Sequence, residues 1–156
     1  AGDEMDESIQ RHLRTRFKLA VGPYEAERIK MAIGSAWPLP KRLYAECKGL
    51  NLLRGVPTTV RLSDETVREA LEGPVAAIVQ SIRHALSRSS PELAEDITRR
   101  GIVLAGGGSL LKGLGTRLHH ETGLPIYRAK DPLTAIVRGT GLVLENYKEL
   151  KRVCVS

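Results

Sequence analysis

The sequence predicts an α/β protein with a smaller α+β lobe, and three stretches carry that prediction. Residues 100–118 run from small and β-favouring residues, Ile102-Val103-Leu104-Ala105, into Gly106-Gly107-Gly108 and then into Leu110, Leu111, Leu114 and Leu118. That order reads as a buried strand, a tight glycine turn and a helix. Pro125 to Ala129 follows as a second strand, so a βαβ unit with a parallel pair and right-handed crossover is expected. Residues 43–62 alternate apolar and polar on both sides of Gly49–Gly55, which predicts a hairpin in the smaller lobe.

In chain order, Met5, Ile9, Leu13 and Phe17 recur every fourth residue, one stripe of an amphipathic helix over 3–17 that Asp3 can cap. Val21-Gly22-Pro23 breaks it, and Tyr24 to Ala36 reads as a second helix ending near Gly34. Glu27 and Lys30 lie three apart on its polar face, side by side, and on the residues alone form a weak surface ion pair. Trp37-Pro38-Leu39-Pro40 is a rigid linker. Pro57 marks the second hairpin strand as an edge or delays its pairing.

Ser63-Asp64 opens the longest helix, with Val67, Leu71, Val75, Ile78, Ile82 and Leu86 as its stripe. Gly73-Pro74 inside it is expected to kink or split it. A short helix from Glu92 to Arg99 leads to the central strand. Gly123 serves as the C-cap of the helix after the glycine turn. Asp131-Pro132 reads as an N-cap and first helical residue, starting a last helix to about Tyr147.

The glycine run matches neither common nucleotide fingerprint. A Walker loop needs Gly-Lys-Ser/Thr, and here Lys112-Gly113 is reversed; no third Gly falls where a dinucleotide fold wants it. On local chemistry it is a structural turn or a ligand loop. Glycines remove every Cβ that would hold a flat ligand off the backbone, and a helix N-terminus favours phosphate or ribose.

With 156 residues, 42% hydrophobic and 27% charged, the totals suit one domain or two small lobes sharing a core. No apolar run approaches the roughly 20 residues of a membrane helix, and the acidic start has no signal-peptide core. The start also lacks Met, which points to a cut or processed chain. Cys47 and Cys154 stand apart, read as reduced thiols of a cytosolic protein. His12, His84, His119 and His120 form no metal array, so no metal ligand is expected. The net charge of +6 is spread along helices and comes with one Trp and one Phe. That favours a solvated basic surface over a nucleic-acid interface, with anionic lipid or a polyanionic partner as the other reading.

Several blocks, in this order, resemble the MreB family of bacterial actin-like, cell-shape-determining ATPases: Ala1–Asp6, Ala26-Glu27-Arg28-Ile29-Lys30, Ile33-Gly34-Ser35, Pro91-Glu92-Leu93, Gly101–Gly113, Glu121-Thr122-Gly123 and Asp131-Pro132-Leu133-Thr134. The resemblance spans nearly the whole chain but only the second half of that family's fold. It implies an actin-like (ribonuclease H-like) second domain with a small α+β hairpin subdomain inserted. Residues 6–70 would be that subdomain, 71–130 the core around the glycine loop, and 131–156 a helix and tail packing on the missing first domain. It further implies that Glu27, Arg28, Ile29 and Lys30, with Gly106, Gly107, Gly108 and Ser109, hold the adenosine side of ATP or ADP. Ala105 replaces a frequent Thr there.

The family's phosphate loops, Mg²⁺-organising groups and water-positioning acids match no residue of this chain, so no catalytic residue is expected and the chain alone should not hydrolyse ATP. The resemblance also implies protofilament self-association, contact with the cell-wall elongation machinery, a cytoplasmic place at the inner membrane face, and membrane contact only indirectly or through other parts. No nucleic acid is expected. The alternatives are the second lobe of another actin- or chaperone-superfamily ATPase and a basic nucleic-acid module.

Overall fold

The computed structural model describes residues 2–105, 111–129, 134–137, 142–145 and 154–155. Helix α1 (Gly2–Phe17) buries Met5, Ile9 and Leu13, the expected stripe, with Phe17 half-buried at its end. It starts one residue early, so Asp3 sits inside the first turn instead of capping it. A two-residue strand β1 (Leu19–Ala20) follows, and Pro23 opens helix α2 (Pro23–Ile33). Strands β2 (Tyr44–Asn51) and β3 (Val56–Ser63) form the hairpin, with Leu52–Gly55 as its turn. The sheet order is β1-β2-β3, all antiparallel, and Pro57 lies on the edge strand as expected. The loop is shorter than the spacing suggested because Gly49, Leu50 and Asn51 continue β2.

Ser63 caps helix α3 (Asp64–Ser87), its side chain accepting from the Thr66 N–H. Pro74 does not split this helix. A proline at that position removes the rung to the Ala70 carbonyl. The Ser8 hydroxyl of α1 donates to that carbonyl at 2.6 Å and satisfies it. Helix α4 (Pro91–Arg100), capped by Ser90, leads through Gly101 to strand β4 (Ile102–Ala105). Gly101 has φ +83° and its Cα abuts the Pro125 carbonyl, so no side chain fits there.

Leu111, Lys112 and Gly113 are not helical. Leu111 is buried and Lys112 forms a parallel bridge with Ser35; helix α5 (Leu114–Thr122) begins only after Gly113. Strand β5 (Ile126–Ala129) then pairs parallel to β4, the expected βαβ unit. The last helix, expected over 132–147, is a correction: Thr134–Val137 and Leu142–Glu145 form strands β6 and β7. The β-branched Thr134, Ile136 and Val137 suit a strand better than a helix, and β6 takes the free side of β4. With β8 (Cys154–Val155) the second sheet runs β5-β4-β6-β7-β8. The Asp131-Pro132 cap lies outside the described residues.

One continuous apolar cluster joins α1, α2, α3, α5 and β4, with Ile9, Ile29, Leu71, Ile82, Ile102 and Leu118 fully buried. Helix α3 is its spine. The expected subdomain boundary at 70/71 falls in the middle of that helix.

Candidate functional site

Helix α2 presents two unlike faces. The inner face carries Ala26, Ile29 and Ile33, all buried in the core. Lys30 goes with them: only 6% exposed, its Nζ stands 2.9 Å from Asp6 Oδ1 on α1. The expected Glu27–Lys30 surface pair is therefore corrected, since the four-carbon stem of Lys30 lies over α1 and its charge finds a carboxylate there. Arg28 is tied as well. It makes two hydrogen bonds to Glu25, at 2.7 and 3.0 Å, and donates to the Glu46 carbonyl at 2.6 Å. Glu25 also accepts from the Lys48 N–H at 2.7 Å, so the pair pins α2 to β2. The Arg28 guanidinium, with the Lys48 N–H, holds the Glu25 carboxyl down at about 2.

The outer face is open. Glu27 is exposed and has no ion-pair or hydrogen-bond partner among the described residues. Tyr24 and Met31 flank it at spacings of three and four, 88% and 53% exposed. Tyr24 and Met31 were not singled out in the sequence, although their spacing to Glu27 was the available signal.

The C-terminal end of α2 meets residues 111–113. Gly34 caps the helix through its N–H to the Lys30 carbonyl at 2.8 Å. Ala36 N–H donates to the Lys112 carbonyl at 2.8 Å, and Lys112 Nζ donates to the Ala32 carbonyl at 3.0 Å. Gly113 has φ +73°, and a Cβ there would stand 2.8 Å from Trp37 Cβ. Trp37 in turn packs its ring 4.9 Å from that of His120. These contacts anchor Leu111–Gly113 against α2 two residues beyond Ser109. Gly106, Gly107, Gly108 and Ser109 themselves lie outside the described residues.

A separate groove of about 680 Å³ opens between α3, α5 and Trp37. Within it Arg117 makes two hydrogen bonds to Glu72, at 2.8 and 2.9 Å, and holds that carboxyl below its usual range. Glu27, Arg28, Ile29 and Lys30 do not line it. Cys47 is fully buried, and desolvation pushes its thiol up to about 11. Among the described residues no group of His, Cys, Asp and Glu could hold a metal ion, and no helix is long and apolar enough to cross a membrane.

The two sheets, the shared spine α3 and the βαβ unit define part of an actin-like fold. The chain belongs to the MreB/Mbl protein family, whose model matches residues 1–152. It is 44% identical to the cell shape-determining protein MreB of Escherichia coli K12 over 92% of this chain and 42% of that protein. It is 35% identical to the cell shape-determining protein Mbl of Bacillus subtilis over 97% of this chain and 46% of that protein. The chain thus spans less than half the length of these relatives. Among solved structures, MreB5 of Spiroplasma citri bound to ADP superposes with TM-score 0.80 at 30% identity, covering 85% of this chain and 40% of that one. A MamK double helical filament gives 0.67 at 26% identity, covering 85% and 41%.

Proposed function

We propose that this chain is the adenosine-binding half of an ATP-dependent, filament-forming cytoskeletal protein that guides wall synthesis in rod-shaped bacteria. The observation that carries the reading is the open outer face of α2, where Glu27, without a partner among the described residues, lies between Tyr24 and Met31, with the Ser35–Lys112 bridge holding the end of this segment against residues 111–113. Glu27 accepts the ribose hydroxyls, Tyr24 and Met31 offer apolar surface to the base, and Gly106–Ser109 lets the nucleoside approach the backbone. Arg28 and Ile29 position that face rather than touch the ligand, and Lys30 does so through Asp6. Spiroplasma MreB5 was crystallised with AMPPNP and with ADP, which supports a nucleotide in this family. Mg²⁺, the phosphate-binding loops and the acids of hydrolysis belong to the partner half of the cleft.

The MamK filament supports head-to-tail self-association. Contact with the first domain and with the wall-elongation machinery, at the cytoplasmic face of the membrane, completes the proposed role.

Calorimetric titration of ATP and ADP into the chain, with Glu27→Ala as control, tests the reading. Weak binding lost in the variant is the expected result. Absence of binding by a chain shown to be folded by circular dichroism overturns a preformed adenosine site.

A further inference from the structure

Ser35, directly beyond the Gly34 cap of α2, is fully buried and bridges Lys112 through its backbone. Its side chain is held from a third element. Arg68, one turn into α3, donates from Nη1 to Ser35 Oγ and to Asp64 Oδ2, both at 3.0 Å. Asp64 is buried and itself fixed. Its Oδ1 accepts from the Leu43 N–H, and its own N–H donates to the Leu43 carbonyl, both at 2.9 Å. One guanidinium thus joins the entry to β2, the start of α3 and the end of α2, and through Ser35 it reaches residues 111–113.

We infer that Arg68 is a positioning residue of the nucleotide site: through Ser35 it sets the spacing between the outer face of α2, with Glu27, and the residues that follow Ser109. The inference rests on the adenosine reading given above, and Arg68 acts through Ser35 without contacting the ligand. A carboxylate and a hydroxyl so deeply buried give the core no stability that apolar side chains of similar size would not supply. What they add is direction, because each hydrogen bond holds only within a narrow range of distance and angle. Glu25 and Lys30 tie the body of α2 to β2 and α1. The Ser35 contact acts instead at its exit, where Ser35 and Ala36 meet Lys112. A nucleoside spanning both sides needs that spacing held to about 0.5 Å.

The test is calorimetric titration of ADP into wild type, Arg68→Leu, Ser35→Ala and the double variant, with thermal melting of each. Arg68→Leu is expected to weaken Kd about tenfold, the effect of a buried hydroxyl losing its charged donor. Ser35→Ala should weaken it by about threefold or more, and the double variant should be no weaker than Arg68→Leu, because both changes break one contact. A residue serving the fold alone would lower the melting temperature and leave Kd of the folded chain unchanged. Ser35→Ala removes a hydroxyl without adding bulk, so it carries the test if Arg68→Leu does not fold, which circular dichroism shows. An unchanged Kd in either folded single variant, or losses that add in the double variant, overturns the inference. Wild-type binding that is lost in Glu27→Ala then leaves the adenosine reading standing, whereas no binding by wild type overturns both.

Discussion

The two faces of α2 differ by less than a third of a turn, yet they treat charge in opposite ways. Lys30 on the inner side and the more exposed Arg28 are held by Asp6 and Glu25, and each pair fastens α2 to a neighbouring element. On the outer side Glu27, flanked by two exposed apolar side chains, has no partner among the described residues. A satisfied charge fixes the scaffold, and an unsatisfied one is available to a ligand. Residues adjacent in sequence thus separate into those that hold α2 to its neighbours and those that the proposed function assigns to a ligand.

The strongest way to break that contrast is Asp6→Ala, which removes the carboxylate facing the buried Lys30 ammonium. It should cost about 3 kcal/mol, read by urea denaturation. Lys30→Met in the same background should recover much of the loss, because a buried pair replaced by apolar surface is nearly neutral. Next is Gly113→Ala, where positive φ and the Trp37 contact together should cost roughly 1–3 kcal/mol in the same assay.

The Glu25 clamp gives a pH signature. Its carboxyl is held at about 2 in the folded chain against 4.5 unfolded, so its contribution is complete above about pH 4.5 and is lost as pH falls towards 2. Arg28 is half-exposed, and solvent screening limits the effect to about 1 kcal/mol. Melting wild type and Glu25→Gln across that window should show the acid-side slope only in the former. The smallest stability effect belongs to Glu27→Ala, within ~0.5 kcal/mol, although it should abolish nucleotide binding. A large destabilisation by Glu27→Ala would erase the distinction between the faces.

Periodicity made much of this legible. The stripes of α1 and α3, the hairpin, the βαβ unit and its glycine caps could be read because each element's apolar spacing matches the face it buries. What escaped were contacts made across distance. Nothing near Pro74 shows that Ser8, sixty-six residues earlier, restores its missing hydrogen bond. Lys30 looked like a surface partner of Glu27 because helix spacing says which residues are neighbours, not which side chains fold back onto another helix. Residues 134–145 satisfy strand and helix patterns alike, and the open side of β4 decided between them. The site was half legible: α2 and the glycine loop stood out, while Tyr24 and Met31 gained meaning only once the outer face was seen to be bare.

The hydroxyl of Ser8 also has a consequence in time. A ribosome releases α1 well before α3, so the donor is waiting when the proline-interrupted helix emerges. A permuted chain that delivers residues 64–87 first would meet the same rung unfilled, with the Ala70 carbonyl exposed until α1 arrived. Order of synthesis, and not only final contact, is written into that one side chain.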